Sequence, residues 1–227
     1  MSVFEKYRDK VYQYRYATEI IVGNLHGGVP TDPKVAEAWI KTKMSEDRDD
    51  VVKELVAKTM AERGLDPADP LTTEQLDEVV AEAVKARQLS GFYRTPEGDL
   101  AIRGRHVKAM IKEAANIAYA KDRWGPTNKG TKSFFAEHVF VAEDWIPLGR
   151  SAPDGIDQRF VSTWRGTGIQ YDEYVEDVKV SFTVMTDHKF TADQWGTLWV
   201  IAERNGLGAA RSQGFGTFEV VGWDKAK

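Results

Sequence analysis

Residues 197–224 read TLWVIAERNGLGAARSQGFGTFEVVGWD. The fold turns on how this stretch divides. The run Leu198-Trp199-Val200-Ile201 alone suits a strand. Trp195, Leu198, Trp199 and Ala202, however, recur at i, i+3, i+4 and i+7, the spacing of one helix face. Thr191 stands where a cap for that helix belongs. Gly206, Gly208, Gly214 and Gly216 then bracket a loop holding Arg211, Ser212 and Phe215, and FEVVGW (218–223) reads as a strand. Helix, glycine loop and strand follow in that order. Arg and Ser between glycines, with successive backbone N–H groups, form a chemistry suited to an anion. A plain glycine-rich turn has the same composition.

Working back from this stretch, VEDVKVSFTVM (175–185) alternates, with Val178, Val180, Phe182 and Val184 on one face. QRFVSTW (158–164) and FFAEHVFV (134–141) read as strands, with DWIPL continuing extended. RHVKAMIKEAANIAYA (105–120) is a helix, its apolar stripe running through Val107, Met110, Ile111, Ala114, Ala115 and Ala118. SGFYRTPEGDLAIRG (90–104) reads as a hairpin around Pro-Glu-Gly-Asp, and QYRYATEIIV (13–22) as the first strand. GNLHGGVPTDP carries loop chemistry throughout. Residues 33–90 read as amphipathic helices with solvated charged faces, an insertion after the first strand.

With that insertion set aside, the order is β-α-β-β-α-β, a ferredoxin-like α+β arrangement, RRM-like, with an antiparallel sheet and helices on one face. The expectation is a single domain over 1–227 with a helical insert at about 33–90. The other sheet face is left free to bind.

Length and composition narrow the function. The chain has 227 residues, net charge −4 and no cysteine, which excludes disulfides and thiolate metal sites. No run approaches a membrane span, and the charged N-terminus does not read as a secretory signal, so the cytoplasm is the expected compartment. The negative total masks an uneven distribution. Glu37–Arg87 holds 8 Lys/Arg against 13 Asp/Glu, while Ala101–Phe135 holds 8 against 2. The basic middle is the part suited to a polyanion.

Three segments carry a family resemblance. IRGRHVKAMIK (102–112) resembles I-P-G-S-S-L-K-G-x-L-R, which opens the first helix of the CRISPR-associated RAMP superfamily. Gly104 and Lys108 match its first glycine and its lysine, and Ile111 and Lys112 stand for its Leu and Arg. Arg105 and His106 replace the two serines, and Ala109 replaces the second glycine. GLGAARSQGFG (206–216) resembles the superfamily's glycine-rich loop. LHGG (25–28) with Asp32-Pro33-Lys34-Val35 resembles the loop after the first strand in the backbone subunits. The three occur in the family's order and cover roughly half of the chain.

The resemblance implies an RNA-binding backbone subunit that oligomerises along CRISPR guide RNA. Its implied partners are guide RNA, copies of itself and other effector subunits, with no membrane, cofactor or metal. The implied RNA contacts are Arg103, Gly104, Arg105, His106, Lys108 and Lys112 at the helix start. In the glycine loop they are Gly206, Gly208, Arg211, Ser212, Gly214, Phe215 and Gly216. A helix N-terminus and Arg/Lys side chains are what a phosphate backbone requires.

Other readings stay open. Arg211 can instead tie the loop to a carboxylate. Phe215 and Phe218 can be core. Trp124 and Trp164, in polar contexts, can stack on a base. Some relatives cut RNA with an acidic residue after the first strand, a position held here by Asp32, which equally reads as an N-cap before Pro33. His26 can be an acid–base group or a structural turn histidine, and His188 is a further acid–base candidate. An endoribonuclease is therefore the alternative. A phage or host structural or inhibitory protein that kept the fold without RNA is the second.

Overall fold

The computed structural model describes residues 7, 10–30, 60–61, 89–122, 130–163 and 166–226. Most of the helical insert, with Asp32 and Trp39, lies outside them, as do Trp124 and Trp164. The chain divides into two compact units. The first comprises Met1–Gly27, Phe92–Gly155 and Tyr174–Lys227, the second Gly28–Gly91 and Ile156–Glu173.

The first unit holds β1 (Tyr14–His26), β4 (Tyr93–Arg94), β5 (Leu100–Arg103), α1 (Gly104–Ala118), α2 (Thr131–His138), β6 (Val139–Val141) and β7 (Trp145–Pro147). It is completed by the second half of β9 (Gly166–Thr186), α3 (Ala192–Asn205), a short 3-10 turn (Arg211–Gln213) and β10 (Phe218–Lys225). β10, β1, β9 and β6 lie side by side, every pair antiparallel. In chain order α1 lies between β1 and β6, and α3 lies between β9 and β10. This is the ferredoxin-like order expected from the sequence.

Period-two alternation selects the buried sheet face. Ile20 and Val22 of β1 and Val178, Val180, Phe182 and Val184 of β9 are almost wholly buried. They join one core with Val107, Met110, Ile111 and Ala114 of α1 and Trp195, Leu198 and Trp199 of α3. Both helices therefore cover the same face. Burying a Val or Leu side chain contributes about 1.5–3 kcal/mol, so this layer dominates the unit's stability. Thr191 completes a capping box for α3. Its hydroxyl accepts from Gln194 N at 3.2 Å, and its own N–H donates to Gln194 Oε1 at 2.8 Å.

β4, β5 and β7 form a separate three-stranded sheet. Leu100, Ile102, Ile146 and Leu148 bury its inner face.

The second unit contains β2 (Val29–Pro30), β3 (Leu89–Gly91), most of β8 (Gly155–Thr163) and residues 166–173 of β9. β3 runs parallel to β9, with Leu89 opposite Tyr171. Inside this unit the Asp172 carboxylate is fully buried, paired with Arg159 and accepting from Gln170 Nε2 at 2.9 Å.

Two expectations change. The strand expected over 134–141 is helix as far as His138, and only Val139–Val141 is strand. Phe135 is fully buried there, stacked on Phe190 at 4.0 Å, so its aromatic character serves a helix face. The loop expected from Gly23 also starts late. β1 continues to His26, because Asn24, Leu25 and His26 pair with Glu176, Val175 and Tyr174.

Candidate functional site

The start of α1 follows directly from β5. Gly104 sits where the helix crosses the chain after β6. A Cβ there would overlap the Glu143 carbonyl oxygen, so only glycine fits. Its N–H donates to Asp144 O at 3.0 Å.

From Gly104 the helix turns its residues to different surroundings. Arg105, Ala109, Lys112 and Asn116 form the exposed ridge. Arg105 and Lys112, seven apart, are about 10.5 Å apart along the axis. Arg105 Nη2 donates to Tyr93 Oη at 2.5 Å. Half-buried His106 has its pKa lowered by desolvation, then by Arg105 and Arg103. At neutral pH it is mainly an uncharged donor and acceptor.

Lys108 points to the flank of α1. Its ammonium donates to Ala136 O at 2.8 Å, to Phe135 O at 3.4 Å and to Val139 O. It thus closes the C-terminal end of α2, where carbonyls lack helical partners. Desolvation, then the neighbouring Lys112, pulls its pKa down to about 8. A cleft of about 250 Å³ opens beside it, lined by Gly104, Arg105, Phe140, Glu143 and Asp144 among others.

The glycine loop docks on the far end of β1. Ala209 N donates to His26 O at 3.0 Å, and Gly216 N to Asn24 O at 2.7 Å. Leu207 N closes the loop on Gly216 O at 2.8 Å. Gly206, Gly208, Gly214 and Gly216 have φ of 78°, 90°, 90° and 75°. At Gly216 a Cβ would also strike the Leu207 carbonyl.

The loop carries Arg211 onto α1, where Nη1 lies 2.5 Å from Glu113 Oε2. The loop of 206–216 thus reaches the helix that segment 102–112 opens, one residue beyond that segment. Exposed Ser212 follows Arg211 in the 3-10 turn. Phe215 stacks on His26 at 4.0 Å, with Tyr174 5.9 Å from the same histidine. His26 is 1% exposed, a ring within the fold's interior. Asp32 lies outside the described residues. Among the described residues no group of three or more His, Cys, Asp or Glu is arranged to hold a metal ion.

Two aromatic residues at this site went unread in the sequence. The Arg103 guanidinium lies 3.9 Å over the Trp145 ring, and Tyr93 meets Trp145 edge-on with centroids 5.9 Å apart. Arg103 Nη2 also pairs with Asp144 Oδ2 at 2.6 Å. The hairpin's alternation held the signal for Tyr93, since Phe92 is buried and its neighbour must face outward.

No protein-family model matches the chain, and no curated protein sequence matches it. Among solved structures, it is similar to a chain of the cryo-EM structure of the type III-B Cmr-beta complex bound to cognate target RNA. The TM-score is 0.51 at 12% identity, over 98% of this chain. The match spans 63% of that longer chain. At this identity the likeness is one of fold.

None of the described helices is long and apolar enough to cross a membrane.

Proposed function

We propose that this protein binds RNA as a subunit of a CRISPR effector complex, lying along guide RNA beside copies of itself. One observation carries the reading. The glycine loop, which holds one family-like motif, is tied through Arg211 to Glu113 in the middle of α1, the helix that the other motif opens. The fold likeness to a chain in an RNA-bound type III-B complex supports it.

In this reading, Arg105 and Lys112 on the exposed ridge of α1 contact phosphates, with His106 beside them. Lys108, Arg211 and Arg103 shape the surface, since their charges are engaged by α2 carbonyls, by Glu113 and by Asp144. Contacts of this kind read backbone and not sequence, as a subunit repeating along a guide requires.

The test is assembly. Purified protein is mixed with single-stranded RNA of increasing length, and mass is followed by sedimentation. The reading expects mass to grow in steps with RNA length. Protein that stays RNA-free at low salt would refute it.

A further inference from the structure

The outer face of the small β4–β5–β7 sheet differs from an ordinary solvated sheet face. Tyr93 pairs with Ala101, and Arg103 pairs with Trp145. Residues 101 and 103 share a face, so Tyr93, Arg103 and Trp145 stand together over the fully buried Ala101, on the side away from Leu100, Ile102 and Ile146. Solvated strands usually carry Thr, Lys or Glu here. This face instead carries two part-exposed rings under two guanidinium groups.

The two rings are held in a fixed mutual arrangement. The edge-on Tyr93–Trp145 contact at 84° fixes one ring plane against the other. Arg103, with Asp144 as its anchor, covers Trp145, and Arg105 holds the Tyr93 hydroxyl. Asp144 pairs with Arg103, and Arg105, whose partner here is the neutral Tyr93 hydroxyl, keeps its charge, so the face suits a polyanion that also offers flat π-systems. Single-stranded RNA has both. A duplex keeps its bases stacked within itself and cannot offer them.

We propose that this sheet face is a stacking platform for an unpaired nucleobase of single-stranded RNA. Tyr93 and Trp145 supply the rings, and Arg105 holds the flanking phosphate. The proposal rests on the RNA-binding reading and adds base contact to it.

The experiment compares a short single-stranded oligoadenylate with a ribose-phosphate strand of equal length lacking bases. Affinities are measured for the full-length protein and for Trp145→Ala, Trp145→Phe and Tyr93→Leu, with melting curves alongside. Trp145→Ala and Tyr93→Leu should weaken oligoadenylate binding roughly tenfold and leave the abasic strand and the salt slope unchanged. Trp145→Phe, which keeps a ring, should bind nearly as the parent does. If Trp145→Ala melts early, Trp145→Phe and Tyr93→Leu carry the comparison. Equal weakening on both strands, or none on either, would overturn the platform while leaving RNA binding in place. A parent protein that binds neither strand would overturn both readings. Preference for a protein partner over either strand would reassign the face.

Discussion

Arg211 and Glu113, 98 positions apart in sequence, form an ion pair at 2.5 Å that ties the glycine loop to the middle of α1. Both side chains are partly exposed, at 31% and 45%. The pair is therefore a modest tether. Its removal should loosen the loop without unfolding the domain. In a double-mutant cycle, Arg211→Ala and Glu113→Ala should show a coupling of about 0.2–1 kcal/mol by urea melts. Additive effects would mean that the two side chains do not act together.

Lys108 gives a larger expected effect. Lys108→Met keeps the aliphatic stem and removes the donor shared by Phe135, Ala136 and Val139. Carbonyls left without a partner cost about 1–3 kcal/mol, so urea melts at pH 7 should show a loss of that order.

The same lysine predicts a pH dependence of definite sign. Its pKa falls from 10.5 to about 8 on folding. Between those values the unfolded chain binds more protons than the folded one. Stability from this group therefore rises with pH across that window and is flat below it. The stability gap between the parent and Lys108→Met should widen from pH 8 to pH 10. A gap that narrows would place the folded pKa above the unfolded one.

Gly216 tests the docked loop. Ala there must take φ of 75° and put a Cβ into the Leu207 carbonyl. Gly216→Ala should cost about 3 kcal/mol or more, by strain and displaced backbone together. An unchanged melting temperature would show that the loop can move off β1 without loss.

Local pattern was enough for the frame of the fold. The stripe of α1, the alternation in β9 and the capping box at Thr191 are all one-element signals, and the ferredoxin-like order follows from them. What escaped depended on distant partners. FFAEHVFV suits a strand by propensity, yet Phe135 finds Phe190, and Lys108 closes the helix end. β1 runs on to His26 because the strand it pairs with, β9, reaches that far, and the glycine loop caps its carbonyls from the other end of the chain. The motifs themselves were legible in the sequence. The partners of their side chains were not, because only the fold brings Glu113 to Arg211 or Trp145 to Arg103.

If the exposed ridge of α1 holds RNA phosphates, removing a ridge cation must change how binding responds to salt. The measurement is affinity for single-stranded RNA at several salt concentrations, for the parent, Arg105→Ala, Lys112→Ala and Arg211→Ala. Arg105→Ala and Lys112→Ala should each flatten the log–log salt slope by about 0.7, for every RNA sequence alike. Arg211→Ala should leave the slope unchanged and lower only the melting temperature. Unchanged slopes for both Arg105→Ala and Lys112→Ala would mean that the ridge does not hold phosphate.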